Sequence, residues 1–104
     1  MDIATAVSKN GIVIRLTDER WKHIVLMHPS LINKRTKVLT TVKDPEYILE
    51  GNGGELLAVS TLSKRVYLVV VYKEKITDGF IITGFETIDK RWLFNKEIIW
   101  NKPS

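Results

Sequence analysis

Residues 66–72 read Val-Tyr-Leu-Val-Val-Val-Tyr, an unbroken apolar run made almost entirely of β-branched and aromatic side chains. Such a run suits a strand, and a strand without alternation must be covered on both faces. The chain therefore needs other strands beside this one and further elements above and below it. With 104 residues it has room for one domain, and a domain of that size buries enough surface to stand without disulfides or a structural metal. We find no internal repeat, low-complexity stretch or linker, so residues 1–104 are read as a single α+β domain.

Strand signals flank the run on both sides. Leu56–Leu62 precedes it, with Ser63-Lys64 as the turn, and Phe80–Phe85 follows, with Asp78-Gly79 as a hairpin turn. Gly51-Asn52-Gly53-Gly54 is a loop; it lacks the Lys-Ser/Thr of a nucleotide-binding loop. At the N-terminus, Ile3–Val7 and the alternating Ile12–Leu16 form a hairpin around Asn10-Gly11.

Helices are expected between these strands. Thr17 caps a helix from Asp18 to about His28, with Asp18 and Glu19 in its first turn. Trp21, Ile24, Val25 and His28 share one face of it, and Pro29 stops it. A second helix covers Leu31–Val42, basic at Lys34, Arg35 and Lys37. Asp44-Pro45 reads as a cap and first helical position of a short third turn, which Tyr47–Leu49 either closes or leaves as a strand. The tail from Trp92 to Trp100 has two apolar clumps, Trp-Leu-Phe and Ile-Ile-Trp. Residues 89–104 are thus an edge strand, a hairpin or a partner-binding segment, with an inhibitor protein or a second copy as the expected partner.

There is no cysteine, which removes thiol chemistry, Cys-ligated zinc and iron–sulfur clusters and fits a cytoplasmic protein. No apolar stretch is long enough to span a membrane, and Met-Asp-Ile-Ala-Thr is not a secretion signal. No metal site is expected. His23 and His28 are five residues apart, so their rings diverge by about 140° around a helix. No cofactor motif occurs either. The formal charge of +4 leans toward polyanions.

The candidate chemistry rests on histidines, cations and one hydroxyl. His28 either caps the end of its helix or serves as a proton donor or acceptor at a cleft rim. His23 lies one turn after Glu19, where a surface ion pair is the alternative. Arg20, Arg65 and Arg91 suit phosphate because a guanidinium binds two oxygens in one plane. The basic pairs Lys64-Arg65, Lys73 with Lys75, and Lys90-Arg91 could line one groove together with Lys34, Arg35 and Lys37. Trp92, Tyr67 and Tyr72 could stack on unpaired bases, with burial in the core as the rival role for the tyrosines. Thr83 is a lone hydroxyl in an apolar strand, placed for a phosphate oxygen or merely satisfied in the sheet.

As a set, these segments resemble a known group. They are Ile14-Arg15-Leu16-Thr17-Asp18-Glu19-Arg20-Trp21-Lys22-His23-Ile24, His28-Pro29, Val42-Lys43-Asp44-Pro45-Glu46-Tyr47-Ile48, Arg65–Val71 and Gly79-Phe80-Ile81-Ile82-Thr83-Gly84-Phe85. Over Ile12–Phe85 the chain is similar to small phage and bacterial domains of the Barnase–EndoU–colicin–RelE-like nuclease superfamily. The resemblance implies an N-terminal hairpin and two to three helices packed on a four-stranded antiparallel sheet. It also implies a metal-independent endoribonuclease, toxin-like or phage-derived, in which a 2′-hydroxyl attacks its own phosphate. By position, the catalytic residues would be His28, His23, Arg65 and Thr83, with Lys64 an alternative to Arg65. RNA is the implied partner, held by Arg20, Lys64, Lys34, Arg35 and Arg91. The alternative is a non-catalytic RNA-binding or protein-interaction module on the same fold. Two positions depart from the pattern: Ser30 replaces the acidic residue after His-Pro, and Thr83-Gly84-Phe85 lacks a tyrosine hydroxyl.

Overall fold

The apolar run becomes the middle strand of a seven-stranded sheet. The computed structural model, which describes residues 1–103, contains β1 (Asp2–Val7), β2 (Val13–Thr17), α1 (Asp18–Met27), α2 (Arg35–Lys43), β3 (Tyr47–Glu50) and β4 (Leu56–Ser63). These are followed by β5 (Val66–Glu74), β6 (Gly79–Thr87), α3 (Lys90–Leu93) and β7 (Ile98–Asn101). The strand order is β1-β2-β6-β5-β4-β3-β7. β5 lies at the centre, paired antiparallel with β4 and β6. Its side chains alternate between two buried clusters, as the lack of a polar face requires. Leu68, Val70 and Tyr72 enter one cluster; Val69 enters the other, with Tyr67 and Val71 packed against it.

The expected four-stranded antiparallel sheet is therefore corrected to a mixed, seven-stranded one. The N-terminal hairpin does not pack on the sheet but belongs to it. β2 runs parallel to β6, with Ile14 opposite Gly79 and Arg15 opposite Phe80. Gly79 permits this junction. A Cβ at that position would lie 2.3 Å from the Lys73 carbonyl oxygen and 2.6 Å from Ile14 Cδ1. The glycine read as half of a turn is thus needed for close approach of two strands. At the other end, β3 pairs with β4 and with β7, so the tail supplies an edge strand.

The first hairpin and α1 match their local signals. Gly11 takes a positive φ of 80° in the turn, and Thr17 Oγ1 accepts from the Arg20 N–H at 3.1 Å. The second helix is shorter than its apolar pattern suggested. Pro29–Leu31 forms a separate 3-10 turn, and α2 starts only at Arg35. No helix begins at Asp44-Pro45. Asp44 instead ends α2, its N–H bonded to the Thr40 carbonyl at 2.7 Å. Its carboxylate faces Lys102 at 3.3 Å and Lys9 at 3.5 Å, and Lys102, with a smaller contribution from Lys9, holds it below the usual carboxylate range.

Two layers result. One face, here the helix face, packs Ile24, Leu31, Val38 and Val42 against Ile14, Leu16, Leu68 and Val70, all fully buried. The opposite face, the tail face, buries Leu49, Leu57, Val59 and Val69 under Leu93. The sheet curls strongly: Lys9, at the β1–β2 turn, stands 5.2 Å from the ring centre of Trp100 on β7.

Candidate nucleic-acid interface

A basic cleft forms where the β4–β5 turn meets the β6–α3 junction. The register places Tyr67 opposite Thr87, so the turn at Lys64-Arg65 lies beside the segment leaving β6. Two short capping bonds set that segment. Thr87 Oγ1 accepts from the Asp89 N–H at 3.0 Å, and Asp89 Oδ1 accepts from the Trp92 N–H at 2.9 Å. The second is an N-cap of the usual Asp type, and it starts α3. Leu93 is fully buried, and Phe94 stacks edge-on to Tyr47 at 5.0 Å and Tyr67 at 5.5 Å. These contacts anchor the tail on its face of the sheet.

The resulting cleft, about 440 Å³, is lined by Lys64, Arg65, Tyr67, Ile88 and Lys90. Three cations, one phenol ring and no carboxylate line it. None of the three cations forms an ion pair among the described residues. Like charges gathered without counter-charges create a positive potential that an anion can relieve. Arg65 can bind a phosphate through two donors, and the lysines act as point charges.

The other sequence candidates are dispersed. Lys34 is engaged on the helix face, 3.6 Å from a Glu86 carboxylate oxygen and donating to the Ser30 carbonyl at 2.9 Å. The Ser30 hydroxyl also donates to Glu86. Arg35 is exposed at the start of α2, Arg20 is exposed on α1, and Arg91 is exposed on α3 outside the cleft. The single groove expected for the basic pairs is thus reduced to Lys64, Arg65 and Lys90. His23 is exposed, and its expected partner Glu19 lies 3.9 Å from the amino terminus instead.

His28 does end α1, its N–H bonded to the Ile24 carbonyl at 2.8 Å, and its ring centre lies 6.1 Å from that of Phe85. Thr83 pairs with Val71 and faces the same side as Phe85, but stands four residues before Thr87. At strand spacing that is about 13 Å from the end of β6 that borders the cleft. The structure brings Arg65 and Lys64 together and places neither His28 nor Thr83 in the cleft lining. Ile88 is the lining residue that the sequence did not single out; Lys90 was expected in the groove, and the β6–α3 junction brings it beside Lys64 and Arg65. The local signal at this junction was Asp89: a capping residue four positions before the fully buried Leu93 fixes where Lys90 starts a turn.

No group of three His, Cys, Asp or Glu side chains that could hold a metal occurs among the described residues, and no helix there is long and apolar enough to cross a membrane. In comparisons with known proteins, no family model matches the chain, and neither does any curated protein or solved structure.

Proposed function

We infer that the chain is a cytoplasmic RNA-binding domain whose phosphate site is the Lys64–Arg65–Lys90 cleft. The observation that carries this reading is the gathering of three unpaired cations beside the Tyr67 ring with no carboxylate in the lining. The net charge of +4 and the resemblance to RNA-cleaving domains support it. Binding should fall steeply with salt, because each neutralised phosphate releases condensed counterions. Removing one phosphate contact, as in Arg65→Ala, should weaken binding and reduce the log–log salt slope by about 0.7 for a single strand. Filter binding over a salt series measures both. Affinity that does not change with salt, or a double variant Arg65→Ala/Lys90→Ala that binds as the parent does, would overturn the assignment.

A second reading is the metal-independent endoribonuclease that the resemblance implies. One observation favours it: His28 stands against Phe85, whose ring also meets Trp92, two residues from cleft-lining Lys90. In that reaction His28 takes the 2′-hydroxyl proton and the 2′-oxygen attacks the adjacent phosphorus. The bond to the 5′-oxygen then breaks, leaving a cyclic phosphate and a 5′-hydroxyl once that oxygen is protonated. Arg65 would stabilise charge on the phosphate. Incubation with RNA in EDTA decides between the two. Cyclic-phosphate ends that vanish in His28→Ala support cleavage; intact RNA leaves the binding domain.

A further inference from the structure

The tail face carries more than the cleft. Phe85 lies opposite Val69 on that face, and its ring is flanked on two sides. The Trp92 indole is 6.1 Å away between ring centres, and the His28 imidazole is also at 6.1 Å. Phe85 and His28 are half-buried, whereas Trp92 is 46% exposed. The indole is held in this position: the Trp92 N–H is capped by Asp89, and the next residue, Leu93, is fully buried. Lys96 Nζ lies 4.9 Å from the indole centre. Lys90 lines the cleft from the same short helix.

These rings and charges suit one kind of ligand. Each unpaired base offers a π-face to an aromatic side chain, and its backbone brings negative charge to flanking cations. A duplex offers neither free base faces nor the splayed geometry that such stacking needs. We propose that the Trp92–Phe85–His28 strip stacks the unpaired bases of an RNA strand whose phosphates enter the Lys64–Arg65–Lys90 cleft, which makes the protein selective for single-stranded RNA. This rests on the RNA-binding reading above, which a duplex-binding protein would satisfy equally well.

The test compares affinities for an oligouridylate and for an RNA duplex at one salt concentration, both 2′-O-methylated so that no 2′-hydroxyl can attack. The parent protein should prefer the single strand. Trp92→Leu keeps apolar volume against Phe85 but removes the π-face, and should weaken single-strand binding about tenfold while duplex binding stays unchanged. Trp92→Tyr, which restores a stacking ring, should recover most of the loss. Equal affinities for single strand and duplex, or a Trp92→Leu protein that binds the single strand as Trp92→Tyr does, would overturn the stacking role while leaving the phosphate cleft standing. A protein that binds neither RNA would remove both.

Discussion

The helix face and the tail face of the sheet solve the problem of covering strands in different ways. On the helix face, α1 and α2 bring fully buried Ile24, Val38 and Val42 onto Leu68 and Val70, a continuous core closed by the first hairpin. On the tail face, the cover is one short helix and Phe94, and the cluster beneath it is smaller. Partial cover leaves Tyr67, Phe85 and Thr83 half-buried at its margin, where a ligand can reach them. The same apolar strand β5 is therefore sealed on its helix face and only partly covered on its tail face.

Paired truncations test that division most directly. Leu68→Ala on the helix face and Leu93→Ala on the tail face remove the same atoms from fully buried sites. We expect about 4 kcal/mol for Leu68, where surrounding elements cannot collapse into the space, and about 2 kcal/mol for Leu93, which a short segment can follow inward. Urea unfolding midpoints measure both. Equal losses would mean that the tail is as integral to the core as the helices are.

A smaller effect separates positioning from charge at Asp89. Asp89→Ala loses the α3 cap, about 1 kcal/mol, and frees Lys90 and Trp92 from their setting. RNA affinity should fall even though a negative charge has left the site. Asp89→Asn keeps a capping oxygen while removing the charge, and should bind RNA more tightly than the parent. If both variants gain affinity in a binding titration, charge alone governs the interface.

The smallest effect lies at the β3–β7 edge. Glu97, through a hydrogen bond and like-charge repulsion, raises the Glu50 carboxyl above its ordinary 4.5. The folded state therefore holds that proton more tightly than the unfolded chain. The stabilisation is complete below the ordinary value and is lost as pH rises through the raised one. Glu50→Gln should melt slightly higher than the parent at neutral pH, and the difference should vanish in acid. A difference independent of pH would remove the pair as its cause.

Local signals were legible in the residues. Thr17 caps α1 and Asn10-Gly11 turns the first hairpin because each acts through its own backbone and near neighbours. Pro29 ends α1 for the same local reason. What failed was long-range or competitive. Asp44-Pro45 carries a helix-start pattern, yet the Asp44 carboxylate meets Lys9 and Lys102, which come from distant parts of the chain. Gly79 reads as a turn residue, and only the approach of Ile14 shows that it is a contact between strands. In the candidate site, Arg65 and Lys64 were legible as a basic pair at a turn, but their meeting with Lys90 depends on the β5–β6 register.

Residues 66–72 specify a central strand from their pattern alone, because seven apolar residues without alternation can be satisfied only by cover on both sides. Local pattern likewise specifies the first helix and the turns beside it, and the lack of cysteine removes thiol chemistry. The number of strands in the sheet, the parallel pairing of β2 with β6 and the closure of one face by the tail emerge only when distant segments meet. Strand pairing is a contest among distant segments of similar β propensity, and its outcome depends on which side chains fit together rather than on any one segment's pattern. The same contest sets His28 against Phe85 and Arg65 beside Lys90, where no spacing along the chain foretells either neighbour.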